Sequence, residues 1–272
     1  KVMDFEARMV VCGQDEVLTI VRNTTKIKLA QRRGFELALE KERHRLLTSF
    51  IQTAAHEFRT PLATIETSVY ILTRSDDPVQ RCEKKDQIET EIKRITRLLD
   101  LLLMMVKLEH DESLRIEQVD INDLLVHACS QATSAYKNNP VISYNLQPNL
   151  PKVLGQAEYL AAAFNELLDN VHRFSPQKST IHITSTGSAD HVQIEISDGG
   201  IGIAEDQLPH IFEAFWRQDK SHSTPGFGLG LPIARRIVQM HHGSIEVRSE
   251  VGKGTRFKIV LPLGDRSSRG GC

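Results

Sequence analysis

Cysteine is scarce in this chain and nowhere paired. The four thiols, Cys12, Cys82, Cys129 and Cys272, stand too far apart for a zinc site or a disulfide framework, so a reducing compartment is expected. Net charge is almost absent too: 34 Lys+Arg against 35 Asp+Glu leave a formal -1. That balance announces neither nucleic acid nor an anionic membrane as a partner. No apolar run approaches the ~18 residues a membrane span needs, and no signal peptide is visible. Eleven histidines include the pair His241–His242, but none are spaced as metal ligands on one face. The expectation is a cytoplasmic segment without membrane contact of its own. It opens at Lys1 rather than Met, and a longer parent anchored by an upstream segment is compatible with that. At 272 residues, two domains are expected.

What is present changes texture along the chain. Residues 4–11 and 16–22 read as strands: Phe5, Ala7 and Met9 alternate with other residues, and Val17 to Val21 run mostly apolar. Cys12-Gly13-Gln14-Asp15 between them makes a hairpin the simplest reading. Two strands cannot bury a core, so they belong to something larger. Over 25–74 the pattern turns helical, with Leu39, Leu46, Phe50, Thr53 and Phe58 on an apolar stripe. Pro61 is predicted to kink or loosen this helix, because it removes a donor and clashes with the preceding turn. A second helix is predicted over 78–110, with a stripe of Ile88, Ile92, Ile95, Leu98 or Leu99, Leu102, Met105 and Leu108. Ser75-Asp76-Asp77-Pro78 marks the reversal, Pro being favoured at a helix start. One hairpin leaves an apolar face uncovered. Two copies would close a four-helix bundle, so a homodimer is expected.

From about 115 strands and helices alternate. Strands are expected at 115–119, 141–146, 180–185, 191–197, 244–249 and 255–262, and helices at 123–137, 158–174 and 231–242. The Gly-rich, Pro-containing stretch 198–230 fits neither and reads as a long functional loop on an α+β layer. The Ser/Gly/Arg-rich tail 265–272 is expected to be disordered.

Five short elements carry chemistry. His56-Glu57-Phe58-Arg59-Thr60-Pro61-Leu62 sets a histidine beside an acid on a helix surface, with Thr60 one turn on. Alone it reads as a solvated histidine on a charged helix. In Asn165–Ser175, Glu166, Asn170 and Arg173 share one helix face. An amide oxygen beside a carboxylate suits Mg²⁺, and an arginine suits phosphate, although a plain polar face has the same pattern. Asp198-Gly199-Gly200-Ile201-Gly202 puts an acid at a strand end with glycines that admit a ligand, or is a simple turn. Gly226-Phe227-Gly228-Leu229-Gly230-Leu231 opens a helix, where free N–H groups and the dipole favour phosphate. It is neither a Walker loop nor a dinucleotide fingerprint. Gly252-Lys253-Gly254-Thr255 is a tight turn into the last strand.

In this order the five elements resemble the sensor histidine kinases of two-component signalling, over roughly residues 45–264. The resemblance implies a multidomain fold: an antiparallel helical hairpin forming a dimeric four-helix bundle, followed by an α/β sandwich ATP-binding domain of the kind shared with gyrase and Hsp90. Phe212-Glu213-Ala214-Phe215-Trp216-Arg217 matches the Phe-rich box before the family's ATP lid, which would span about 218–227. The first 28 residues resemble the closing strands of a PAS sensor domain, with Arg22-Asn23-Thr24-Thr25 where that family ends in an Asp-Ile-Thr-like turn. The implied domains are 1–28 PAS-like strands, 29–48 a signalling helix, 49–112 the dimerisation and phosphoacceptor hairpin, and 113–264 the catalytic domain.

The resemblance also implies roles. His56 would take the γ-phosphoryl group of ATP, Glu57 would stabilise the ring, and Thr60 would orient water for a reverse phosphatase reaction. Asn170, with Glu166, would hold Mg²⁺. Asp198 would accept the adenine amino group, helped by Thr255. Gly200, Gly202, Gly226, Gly228, Gly230 and Leu231 would shape the nucleotide site, and Arg173 and Arg217 would meet the γ-phosphate. The phosphoryl group would pass to an aspartate of a response regulator receiver domain. Two positions depart from the common pattern. Glu166 stands where many relatives carry Asn, and it is the acid with which gyrase-like ATPases activate water. Arg173 replaces the usual Lys, keeping charge but changing geometry. A gyrase-like conformational ATPase and a non-catalytic dimerisation scaffold are the alternatives.

Overall fold

The computed structural model describes residues 5–11, 17–23, 25–110, 115–135, 141–176, 179–218 and 226–264. They form two compact units, Lys1–His56 and Glu57–Cys272. In the first, β1 (Phe5–Val11) and β2 (Val17–Asn23) pair antiparallel, Phe5 opposite Asn23 and Val11 opposite Val17, as the alternation predicts. The expected turn at Cys12–Asp15 lies outside the described residues. Helix α1 (Thr25–Arg74) follows.

Within the second unit α1 continues through Pro61 to Arg74, so the proline, expected to kink or loosen the helix, does not end it. A proline removes a single donor, here the one that would meet the Glu57 carbonyl, and the rest of the ladder carries the helix past it. Helix α2 (Pro78–His110) begins where Asp77 Oδ1 accepts the Val79 N–H at 3.0 Å, an N-cap with proline in the first helical position. Ser68 meets Gln87 across the hairpin at 3.2 Å, and Arg81 donates to the Leu72 carbonyl oxygen at 2.9 Å. The expected stripe of α2 holds in part: Leu98 and Leu108 belong to it, and Leu101 does not. Leu98, Leu101 and Leu108 are buried, whereas Ile92 and Leu99 are exposed. The helix has apolar residues on more than one face, and contact with α5 selects the face that is covered.

Next come β3 (Glu117–Val119), α3 (Ile121–Ala135), β4 (Val141–Leu146), β5 (Val153–Gly155), α4 (Ala157–Phe174), β6 (Thr180–Gly187), β7 (His191–Ser197), α5 (Gly230–Met240), β8 (Ser244–Glu250) and β9 (Gly254–Pro262). Helix α3 starts two residues before the expected 123, because Asp120 Oδ1 accepts the N–H groups of Asn122 and Asp123 and caps it. Strand β5 was not expected, and it pairs antiparallel with β3. A main sheet of order β4-β6-β7-β9-β8 is antiparallel except for the β4–β6 pair. Val192, Ile194 and Ile196 of β7 and Phe257, Ile259 and Leu261 of β9 are buried, so one sheet face is covered by the helix layer α3, α4 and α5. Burying one such side chain is worth ~1.5–3 kcal/mol, and an exposed ion pair ~0–1 kcal/mol. The sheet face, not surface charge, therefore fixes α4. No helix among the described residues is long and apolar enough to cross a membrane.

His241, at the end of α5, ties that helix to the start of α4. Its Nδ1 lies 2.7 Å from the Ile237 carbonyl oxygen, and its Nε2 accepts the Gln156 N–H at 3.0 Å. These partners select the neutral tautomer with the proton on Nδ1. Burial holds the imidazole below its ordinary pKa; the Ile237 carbonyl opposes this and His242 adds to it. Above the unfolded value of ~6.5 both states are neutral and nothing is lost. Below it the unfolded chain takes up a proton that the folded one resists, so stability falls at up to ~1.4 kcal/mol per pH unit. Thermal unfolding followed from about pH 7.5 to 5.5 is expected to show a steeper loss in the natural chain than in His241→Gln.

Candidate functional site

Helix α4 divides its faces by chemistry. Tyr159, Leu160, Phe164, Leu167, Leu168 and Val171 are buried in the core. Glu166, Asn170 and Arg173, spaced by four and three, line a cavity of about 620 Å³. Glu166 is buried, and Arg97 of α2 forms an ion pair with its Oε1. Burial pushes the Glu166 carboxyl above its ordinary value; the Arg97 and Arg173 charges pull it down. Arg173 Nη2 donates to Asp169 Oδ2 at 2.7 Å.

The end of β7 supplies another wall. The Asp198 N–H donates to the Thr255 carbonyl oxygen at 2.9 Å, and the Asp198 carboxylate accepts the Gly200 N–H at 2.7 Å. Burial pushes this carboxyl up, and backbone hydrogen bonds at Gly200 and Thr255 hold it down. Of the residues proposed for the nucleotide, only Gly200 does not line the cavity. It stands behind the carboxylate, where a Cβ would come within 2.5 Å of Asp198 Oδ1 and of the Phe174 carbonyl oxygen. Glycine is needed there for close packing. Ser249 Oγ accepts the Ile203 N–H at 2.9 Å and donates to the Gly254 carbonyl oxygen at 2.8 Å, joining the loop after β7 to the β8–β9 turn.

Gly202, Arg217, Gly226, Gly228, Gly230, Leu231 and Thr255 all reach the cavity. Gly228 has φ +68, and a Cβ on it would lie 2.4 Å from the Trp216 carbonyl oxygen. Its own carbonyl accepts the Phe215 N–H at 2.9 Å. Phe215 has φ 64, rare for a bulky side chain, and its N–H bond to Gly228 helps to hold it there. Helix α5 begins at Gly230 without a capping side chain, which leaves its first N–H groups to an anion. Of the expected lid, residues 219–225 lie outside the described residues.

Thr90, Glu91, Arg94, Arg97 and Leu101 of α2 complete the lining, and sequence reasoning missed them. Arg94 and Arg97 lie three apart, near the buried Leu98 and Leu101, but they look like any arginines on a charged helix. Arg94 Nη2 lies 3.8 Å from Glu57 Oε2, and its guanidinium carbon is 5.5 Å from the centre of the Phe227 ring. It thereby links the acid after His56 to the Gly-rich turn. His56 and Thr60 are exposed on α1, and Glu57 is buried.

Two family models match the chain. The His Kinase A (phospho-acceptor) domain covers residues 46–111, and the Histidine kinase-, DNA gyrase B-, and HSP90-like ATPase covers residues 155–265. The sensor protein kinase PmrB of Pseudomonas aeruginosa is 33% identical over 228 residues, 83% of this chain and 46% of that protein. The signal transduction histidine-protein kinase ArlS of Staphylococcus aureus is 34% identical over 221 residues, 78% of this chain and 48% of that protein. The chain therefore spans about half the length of these curated relatives. The crystal structure of histidine kinase ThkA in complex with the response regulator protein TrrA shares the fold: TM-score 0.68 at 20% identity, covering 91% of this chain and 70% of that one. With a phosphoacceptor hairpin and an ATPase sandwich matched in order, the chain belongs to the sensor histidine kinases of two-component signalling.

Proposed function

We propose that this protein autophosphorylates His56 from Mg-ATP and passes the phosphoryl group to an aspartate of a response regulator receiver domain, with phosphatase activity as the reverse function. One observation carries the reading: Asn170, Asp198 and the glycines 226, 228 and 230 line a single cavity of about 620 Å³, in a chain that also exposes His56 next to a buried acid. Asp198 accepts the adenine amino group, with Thr255 beside it. Gly226, Gly228, Gly230 and Leu231 present backbone to the phosphates, and Arg173 and Arg217 balance their charge. A ring nitrogen of His56 bonds to the γ-phosphorus as the bond to the bridging oxygen breaks and ADP leaves. Glu57 stabilises the imidazolium that develops. Phosphoryl transfer asks mainly for positioning and charge neutralisation, which this set provides.

Among the described residues no three His, Cys, Asp or Glu gather into a metal cage. Asn170 and Glu166 suit Mg²⁺, which keeps waters and takes phosphate oxygens as further ligands. The ion would neutralise phosphate charge. Thr60 serves the phosphatase direction by orienting water. A homodimer through the hairpin is supported by Leu62, Val69, Leu99, Leu103 and Val106, all exposed on α1 and α2. We propose the domain limits 29–48 for the signalling helix, 49–112 for the hairpin and 113–264 for the catalytic domain, with PAS-like strands before them.

Incubation with γ-labelled ATP tests the kinase. An acid-labile, alkali-stable label on the protein, chased onto a receiver domain, is the expected result. The second reading, a gyrase-like ATPase, is favoured by one residue, Glu166. Steady phosphate release with no protein label would establish it instead.

A further inference from the structure

The wall that α2 gives to the cavity carries a guanidinium whose hydrogen-bonding capacity is unmet. Arg94 lines the cavity, and its side chain is only 28% exposed. Its fork of N–H donors is always charged. Among the described residues its ion-pair partners are Glu57 Oε2, 3.8 Å from Nη2, and Glu91 Oε2, 3.9 Å from Nη1. Both distances lie beyond hydrogen-bond reach, so the two carboxylates attract the guanidinium without accepting from it. A half-buried cation with open donors, facing a cavity, calls for an anion there.

The place of Arg94 along the cavity says which anion. Its guanidinium carbon is 5.5 Å from the centre of the Phe227 ring, in the middle of the Gly-rich turn. At Gly226, next in the chain, a Cβ would come 2.1 Å from Arg173 Nη1. Arg173 of α4 and Arg94 of α2 therefore reach the same turn from two different helices. Arg94 also stands beside Glu57, the residue after the proposed phosphoacceptor. That is the end of the nucleotide where the transferred phosphate is needed.

We propose that Arg94 is a phosphate-binding residue of the nucleotide site, supplied by the hairpin and directed to the terminal phosphate of ATP. The inference rests on the nucleotide-binding part of the reading above. Oxygens of that phosphate would give the fork the charge-assisted hydrogen bonds that Glu57 and Glu91 leave unmade. ADP lacks the group. Helix α2 thus distinguishes the triphosphate from the diphosphate, and bound ATP ties the hairpin to the catalytic domain where ADP does not.

Arg94 is not what docks α2. Leu98 and Leu101 are buried, Arg97 pairs with Glu166, and Arg236 donates to the Leu108 carbonyl oxygen at 3.4 Å. These contacts keep the helix in place when Arg94 is replaced.

Calorimetric titration of the full chain with adenylyl imidodiphosphate, a non-hydrolysable ATP analogue, and with ADP tests the assignment. Arg94→Ala is expected to weaken the analogue about tenfold or more, the cost of a hydrogen bond to a charged group, and ADP by less than about twofold. Arg94→Lys should recover part of the analogue's affinity, because it keeps the charge and loses the fork. A merely structural role, packing on Phe227, would weaken both nucleotides alike. Arg94→Gln repeats the titrations if the alanine variant does not fold. Unchanged affinity for the analogue, or equal losses for the analogue and ADP, overturns the proposal. A natural chain that binds neither nucleotide overturns the reading of the cavity and the proposal with it. A natural chain that binds the analogue but acquires no label from γ-labelled ATP overturns the kinase reading alone.

Discussion

His56→Gln is expected to lower phosphoryl label on the protein by at least ~10³-fold, a barrier increase of ~4 kcal/mol, while leaving nucleotide binding intact. The reason is chemical. Transfer needs a neutral nitrogen with a lone pair, and imidazole supplies one near neutral pH, whereas the glutamine amide nitrogen is not nucleophilic. The substitution is structurally mild, because His56 is exposed on α1 and glutamine is a good helix former. Thermal unfolding should shift little, within the ~0.5 kcal/mol usual for surface changes. Two measurements check it: acid-labile label after incubation with γ-labelled ATP, and binding of a non-hydrolysable ATP analogue. Retained label in the variant would place the phosphoacceptor elsewhere.

Asp198→Asn is expected to weaken ATP binding by about 10- to 100-fold, from the loss of a hydrogen bond to a charged acceptor worth ~1.5–3 kcal/mol. Asparagine keeps one oxygen, which can still accept the Gly200 N–H now held at 2.7 Å, so the loop after β7 survives. The second oxygen becomes an amino group. Facing the adenine amino group, it sets donor against donor. Asp198 is half-buried, so with adenine seated against it that mismatch is repaired poorly by water. Calorimetric titration with ATP and GTP checks the effect: the natural chain should prefer ATP strongly, and the variant should lose most of that preference. An unchanged preference would move adenine recognition away from Asp198.

Much of the site was legible because its parts are encoded locally. Glu166, Asn170 and Arg173 sit on one face of α4 by helix periodicity alone. The glycines at 226, 228 and 230 mark places where the chain passes close to other groups, the Arg173 side chain, the Phe215–Trp216 backbone and the Glu166 side chain in turn. The sheet strands β6, β7 and β9 announce themselves by alternation, since one face is covered and the other is not. Where reading failed, the missing information was not local. Strand β5 has three residues, too few to show a period, and exists because β3 lies beside it. The start of α3 is set by the Asp120 side chain, a cap outside the apolar pattern. Gly200 was assigned to the ligand, yet its smallness serves the packing of Asp198 against the Phe174 carbonyl.

By itself the sequence determined the family and the hairpin followed by a sandwich, and it pointed to the nucleotide motifs and to His56 as the proposed nucleophile, because each rests on residues within a few positions of one another. Only the tertiary structure decided that Leu101 joins the buried stripe of α2 and what that helix brings to the cavity. Arg94 meets Glu57 across the hairpin, but its contact with Phe227 and the pair of Arg97 with Glu166 exist only because α2 packs on the α/β domain. No periodicity in the chain encodes a contact between a surface arginine and an acid 69 residues away. Packing chooses one face among several that a helix offers, and that choice puts a cation beside Glu166, the acid whose presence made hydrolysis a rival reading.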